Sequence, residues 1–351
     1  LGPSTASDPI VAVALWTAIM AAILSAAIIA QTVASRLLLA RKARREAGFR
    51  NRWRAILLES VDAVPAHLPT VKPPDWYTFL SLWNQFQESL RGGGRHRLKA
   101  VAIRLRMDMA ARRLLQEGSV SQRLMAIVTL GQLGDYDSWN PLVRISAGEH
   151  PVLSLAAARS LILIDAGRAI AELLPAFTAR ADWPVSRLKA ILAEADPALI
   201  TPALAAAVDV MNPARLPRLL ALLDCAQGRA AGRKILDVLR RASEDEVLVA
   251  CLKSAHVPRE RELLARLTRH PSWQVRTQAA RAFGLAAQAG DEKLLLSLLS
   301  DRVWWVRYRA AQALVSLPFL SREELLRLRS KVGDKFGLNM LDQVLAERPP
   351  T

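Results

Sequence analysis

Four groups of side chains have types and spacings that can do chemistry. Ser186-Arg187-Leu188-Lys189 sets a serine hydroxyl one helical turn from a lysine amine, the Ser-x-x-Lys arrangement of a nucleophile and its base. It comes without companion motifs, in a segment that reads as an ordinary helix, so the match reads as chance. Asp135-Tyr136-Asp137 has the Asp-x-Asp spacing of metal-dependent sugar transfer, but it lies between two short helices with no strand to present it. It reads as an Asp-rich turn. The five histidines, His67, His96, His150, His256 and His270, are scattered without metal-ligand spacing. His150 and His270 precede Pro151 and Pro271, which makes them turn residues. Cys225 and Cys251 have no activating base beside them and fall in apolar helical stretches, so inert buried thiols are expected. Two cysteines offer neither a disulfide framework nor a zinc set, and a reducing compartment is the default. No residue is assigned a catalytic, cofactor-binding or metal-binding role, and a non-enzymatic chain is the expectation.

The elements that carry these residues are helical. Apolar residues make up 52% of the 351 and aromatics 5%, a core of Ala, Leu, Val and Ile suited to close-packed helices. The net charge of +16 looks like a nucleic-acid signal until it is located. Residues 36–54 carry eight Lys/Arg against one Glu, and residues 91–113 carry eight against one Asp, so two short segments hold +14 of it. The remainder is nearly balanced.

Ile10 to Ala30 is a run of 21 residues with no charge. At about 1.5 Å per residue it reaches roughly 30 Å, enough to cross a bilayer. A cleavable signal needs a basic leading region and a shorter apolar segment, whereas here the basic residues follow the run. Arg36, Arg41, Lys42, Arg44, Arg45, Arg50, Arg52 and Arg54 place the C-terminal side in the cytoplasm by the positive-inside rule. The expectation is a short external tail (1–8), a transmembrane helix (9–35) and a basic juxtamembrane helix (36–62). Ala14, Ala18, Ala22, Ala26, Ala30 and Ala34 fall on an i, i+4 line that lets membrane helices approach. The line drifts by about 40° per step, so only two or three can face one neighbour. Residues 36–54 suit anionic lipid headgroups.

A Pro-rich linker (63–74) follows, then a helical leader (75–117). Asp75 is the expected N-cap of an aromatic helix bearing Trp76, Phe79, Leu80, Trp83 and Phe86 on one face. After the turn at Gly92-Gly93-Gly94, a helix over about 97–116 would carry Lys99, Arg106 and Arg113, seven residues apart, as a basic ridge. Arg41, Lys42, Arg44, Arg45, Trp76, Trp83, Lys99, Arg106 and Arg113, with Ala14, Ala18 and Ala22, are the candidate contacts for a partner or the membrane.

From about residue 118 a period emerges. Trp273 and Trp304, Val275 and Val306, Arg276 and Arg307, and Phe283 and Leu314 are each 31 residues apart. A fixed period of this size means stacked helical hairpins. Ala157-Ala158 restates Ala310-Ala311, Trp183-Pro184-Val185 opens another unit, and Pro213, Glu244 and Pro258 stand near three later openings. The last B-type helix is expected within 321–331, with a capping helix around 339–346.

The segments 271–300 and 302–331 resemble HEAT and HEAT-like repeats. They share an opening Pro or Asp, a Val-Arg pair, an Ala-Ala step and a Phe or Leu before the turn. The resemblance implies about seven repeats over 118–335, with a cap and tail at 336–351. It also implies that Arg276 and Arg307 belong to a structural ladder. The layout is similar to bacterial membrane-anchored HEAT-repeat proteins, all-α with a single N-terminal transmembrane helix and a cytoplasmic α-solenoid.

That likeness implies a non-catalytic, membrane-tethered scaffold at the bacterial inner membrane. Its implied partner is an integral inner-membrane protein such as a glycosyltransferase of exopolysaccharide synthesis, and homo-oligomers are compatible with it. Two other classes compete. Some HEAT-like proteins grip nucleic acid, but here the charge lies outside the repeats and no aromatics alternate with basic residues inside them. HEAT-like bilin lyases hold a tetrapyrrole, yet no nucleophile or acid–base pair argues for one.

Overall fold

Nothing between Ile10 and Ala47 breaks a helix: the stretch has no Gly or Pro and is rich in Ala, Leu and Arg. The structure, a computed structural model, describes residues 9–347 other than 91, 228 and 258, and side chains from Val13 onward except that of Ala14. The expected tail at 1–8 and the residues after 347 lie outside the described residues, as does the Ala14 side chain. Every described element is helical, and the described residues form two compact units, one ending at Leu133 and one beginning at Gly134.

The first unit begins with α1 (Pro9–Asp62), 54 residues without interruption, so the apolar run and the basic segment are one helix. Its described side chains are exposed from residue 13 to residue 45. Farther along, Trp53, Leu57 and Ser60 are buried. Trp53 meets Phe79 edge-on at 4.7 Å between ring centroids. Phe79 lies on α2 (Trp76–Ser89), followed by α3 (Gly93–Arg104), α4 (Met107–Glu117) and α5 (Val120–Leu133). The end of α1 packs on α2 and α3, while α5 packs on α4 and α2. Repeat counting puts the segment of α5 in the array, whereas its contacts group it with the leader helices.

Two expectations change here. The single helix over 97–116 is broken, because Arg106 adopts φ 57° and ψ 35° between α3 and α4. A non-glycine residue in the left-handed region ends one helical path and starts another. Asp75 does occupy the N-cap position of α2, but its side chain makes no capping bond. Its carboxylate accepts instead from Arg45 of α1, at 3.1 and 3.2 Å.

The second unit runs α6 (Trp139–Ala147), α7 (Pro151–Ile164), α8 (Ala166–Ala179), α9 (Val185–Leu192), α10 (Pro197–Val210), α11 (Leu216–Leu222) and α12 (Arg229–Arg241). It continues with α13 (Asp245–Lys253), α14 (Arg261–Leu267), α15 (Trp273–Ala286), α16 (Glu292–Leu298), α17 (Trp304–Val315), α18 (Arg322–Arg329) and α19 (Lys335–Glu347). The odd-numbered helices from α7 to α19 pack in succession; α8, α10 and α12 make a second layer, and α14 and α16 back α15 and α17. Such a stack buries in each unit what no hairpin could bury alone.

The 31-residue pairs occupy equivalent places. Val275 and Val306, Ala279 and Ala310, Ala280 and Ala311, and Phe283 and Leu314 are all buried. Small residues set the interval: a Cβ on Gly284 of α15 would lie 2.7 Å from the Cβ of Ala313 on α17. The openings are capped locally. His150 Nδ1 accepts from the Leu153 N–H at 3.4 Å, and Ser321 with Glu324 closes a reciprocal capping box. Glu244 stands at the N-cap position of α13 without a side-chain capping bond, Pro213 stands three residues before α11, and Pro258 falls outside the described residues.

Candidate interaction surfaces

The groups singled out for chemistry are engaged in architecture. The Lys189 ammonium donates to Asp224 of the next helix pair at 2.7 Å, while Ser186 is exposed on α9. Asp135 accepts from the Ser138 hydroxyl within its own turn. His270, like His150, accepts a backbone N–H at a repeat opening, here that of Ser272 at 3.2 Å. Burial pushes the Cys251 thiol up to about 12, and burial raises the half-buried Cys225 as well. Both are poor nucleophiles at neutral pH. Among the described residues no three His, Cys, Asp or Glu side chains gather as a metal site.

The ladder arginines repeat one geometry. Arg276 donates to the carbonyls of His270 and Pro271, at 2.9 and 2.8 Å, and Arg307 to those of Asp301 and Arg302, at 2.8 and 3.2 Å. Each ties down the turn that opens its own repeat. Arg276 also forks onto Asp301 of the following repeat, at 2.7 and 3.0 Å. Asp301 feels burial most, which raises its pKa, yet the Arg276 fork and the Val303 N–H outweigh it and hold the carboxyl below the usual range. Arg307 faces the Phe336 ring at 5.7 Å instead.

Sequence reading missed how far such ties extend. Arg159 forks onto Glu194, Arg261 onto Asp291, and Arg180 reaches the Ser146 and Gly148 carbonyls. Arg218 holds the Phe177 and Trp183 carbonyls, and Arg281 that of Leu252. Each spans about one repeat in sequence, a spacing that no local motif announces.

The second basic segment is spent in the same way. Arg97 donates to the Val61 carbonyl at 2.6 Å, and Arg104 to those of Pro65 and Ala66 at 3.0 and 2.8 Å. Arg95 holds Gln132, and Arg113 pairs with Glu117 at 2.9 Å. Arg106 is exposed at the break and Lys99 half-buried on α3, so Lys99, Arg106 and Arg113 form no continuous ridge. Trp83 is fully buried and donates to the Leu98 carbonyl at 2.8 Å, so no partner can reach it. Trp76 is half-buried and donates to the Val71 carbonyl at 3.3 Å.

Among the described residues, α1 and two grooves offer open surface. Ala18 and Ala22 are exposed with the rest of the apolar run, and Arg41, Lys42, Arg44 and Arg45 follow on the same helix, also exposed. Lys42 stands 4.0 Å from Glu46, and Arg45 holds Asp75. Among the described residues one helix, α1, is long and apolar enough to cross a membrane by length and composition. In the first unit a groove of about 610 Å³ is lined by Arg54, Leu58, Asp62, Leu82 and Phe86. In the second, another of about 610 Å³ runs along α15, α17 and α19.

Residues 260–328 match the family model of HEAT repeats. No curated protein matches the chain. Among solved structures, that of an engineered protein aligns over 83% of this chain and 88% of its own, at 14% identity and a TM-score of 0.32, a likeness too slight to argue from. The match falls on the segment where the 31-residue period is clearest. Residues 260–328 thus resemble HEAT repeats, the described elements are all helical, and the paired helices of the second unit are consistent with a HEAT-repeat solenoid and a protein-interaction scaffold.

Proposed function

We propose that this chain is a membrane-tethered scaffold, anchored by the first part of α1 and binding a partner through its helical array. The observation that carries the reading is the form of α1. Apolar side chains between Val13 and Leu39 stand exposed, while Trp53 and Leu57, on the same helix, are buried in the first unit. About 25 cal/mol per Å2 favours removing such an exposed apolar surface from water. A run of this length matches a bilayer. The basic residues after it favour a cytoplasmic location for both units, with the N-terminus outside.

The uninterrupted helix limits which arginines reach lipid. Residues 50–54 lie about 20–27 Å beyond Arg36 along the axis, whereas charge is screened over about 8–10 Å. Arg36, Arg41, Lys42 and Arg44 are the headgroup contacts of an upright helix, and Arg50, Arg52 and Arg54 lie beyond them. The partner is an integral membrane protein, met by α1 within the bilayer and by the array outside it. Tethering raises the effective concentration between the two without any added contact. The likeness to anchored HEAT-repeat proteins favours a glycosyltransferase of polysaccharide synthesis as that partner. Affinity purification from membranes in mild detergent tests the proposal. Recovery of a stoichiometric integral membrane protein supports it; recovery of the chain alone, as a monomer, refutes it.

A further inference from the structure

The groove along α15, α17 and α19 brings together two arginines that are oriented by neutral acceptors. Four arginines of the second unit, Arg159, Arg261, Arg276 and Arg329, fork onto carboxylates, those of Glu194, Asp291, Asp301 and Asp342. Here Arg281 of α15 and Arg309 of α17, 28 residues apart, line one groove without an ion pair to any described carboxylate. Arg281 donates to the Leu252 carbonyl and Arg309 to the Gln312 side chain at 2.8 Å, so each is oriented by a neutral acceptor. Burial, and then the charge of Arg309, both lower the pKa of Arg281. Two like charges brought together in a partly desolvated groove raise the energy of the free protein, and a bound anion relieves it.

The rest of the groove describes that anion. Leu285 is 54% exposed there and Val344 lines the wall, so the occupant brings apolar surface beside its charge. Glu347 also lines the groove, its carboxylate accepting from Tyr308 at 3.0 Å and from Gln343 at 2.9 Å. Among the described residues no aromatic ring lines the groove to stack a nucleic-acid base. A volume of about 610 Å³ is within the usual range for a bound ligand. We propose that this groove is a docking site for an acidic, leucine-bearing peptide segment of a partner protein, its carboxylates meeting Arg281 and Arg309 and its apolar residue covering Leu285. The proposal deepens the scaffold reading and rests on the array as a binding surface, not on the tether.

The full chain in detergent micelles is titrated into a fluorescein-labelled pentapeptide, Glu-Glu-Leu-Glu-Glu, and anisotropy is read. The expected result is saturable binding that weakens at least tenfold in Arg309→Glu and Arg281→Gln and about fivefold when the peptide leucine is glycine. Arg309→Glu should in turn take up Lys-Lys-Leu-Lys-Lys, a gain that a misfolded variant could not give. Absence of binding to the wild type overturns the proposal, as does equal binding by Arg309→Glu. It is also overturned if inorganic phosphate or a 12-nucleotide single strand competes as well as the acidic peptide does. The membrane purification depends on α1 and the intact partner, so either experiment can fail while the other succeeds.

Discussion

Replacing Asp301 with alanine removes one half of the best-enclosed ion pair in the terminal repeats. The side chains of Arg276 and Asp301 are 16% and 10% exposed, and the pair is bidentate. Breaking a buried pair by deleting one partner costs about 3–5 kcal/mol, because the other charge stays buried. Arg276 keeps its two carbonyl acceptors, so we place the loss nearer 2–3 kcal/mol. In an array that opens locally, the cost should fall on α15–α17 rather than on the whole chain. At about 1.4 kcal/mol per tenfold, amide exchange there should accelerate about 30- to 150-fold, read by hydrogen-exchange mass spectrometry. The control is Glu117→Ala, which breaks the exposed pair with Arg113 and should leave exchange unchanged within about twofold. The folded carboxyl sits below its ordinary range, so the stabilisation is full above about pH 4 and disappears as pH falls through the folded value. Asp301→Asn should lack that acid-induced rise in exchange. A change of less than about threefold in Asp301→Ala, or the same acid response in Asp301→Asn, would refute the ladder argument.

Gly284→Ala gains about 1 kcal/mol of helix propensity but must open a 2.7 Å contact with Ala313, an overpacking that costs about 1–3 kcal/mol. A net loss near 1 kcal/mol is expected, with Ala313→Gly recovering the packing part in a double-mutant cycle read by denaturant unfolding. Trp83→Ala should cost about 3–5 kcal/mol and lower the thermal midpoint of the first unit, whereas Trp305→Ala, 51% exposed, should leave melting unchanged. Cys251, its thiol pushed up to about 12 by burial, should resist a disulfide reagent at pH 8 until the protein is unfolded, while Cys225 reacts first.

The terminal repeats were legible because their cores are written locally. Valine, paired alanines and a closing Phe or Leu recur at helical spacing, and one helix's buried stripe predicts the next. The break at Arg106 was not, because Leu-Arg-Met contains no residue that announces a left-handed turn. Nor could the sequence assign Arg45 to Asp75, 30 residues on, or Arg97 to the Val61 carbonyl. A charge run gives the sum of charges, whereas solvation depends on which carbonyls the tertiary fold brings within reach. Hence the two basic segments, equal on paper, separate into one that binds its own backbone and one that is mostly left in the open. Trp83 illustrates the same limit, since an aromatic stripe looks alike whether it faces a partner or its own core.

The passage of α1 through Gly48 to Asp62 without a joint has a mechanical consequence. A hinge would absorb any tilt of the apolar half, but a rigid rod transmits it. Tilting the rod by about 10° at Arg36 would swing Trp53, about 25 Å farther along at 1.5 Å per residue, through about 4 Å. Trp53 is clamped between helices, so the body to which it is bolted moves with it. The helix is then a lever as well as a tether, and whatever leans on its apolar arm is felt at the load.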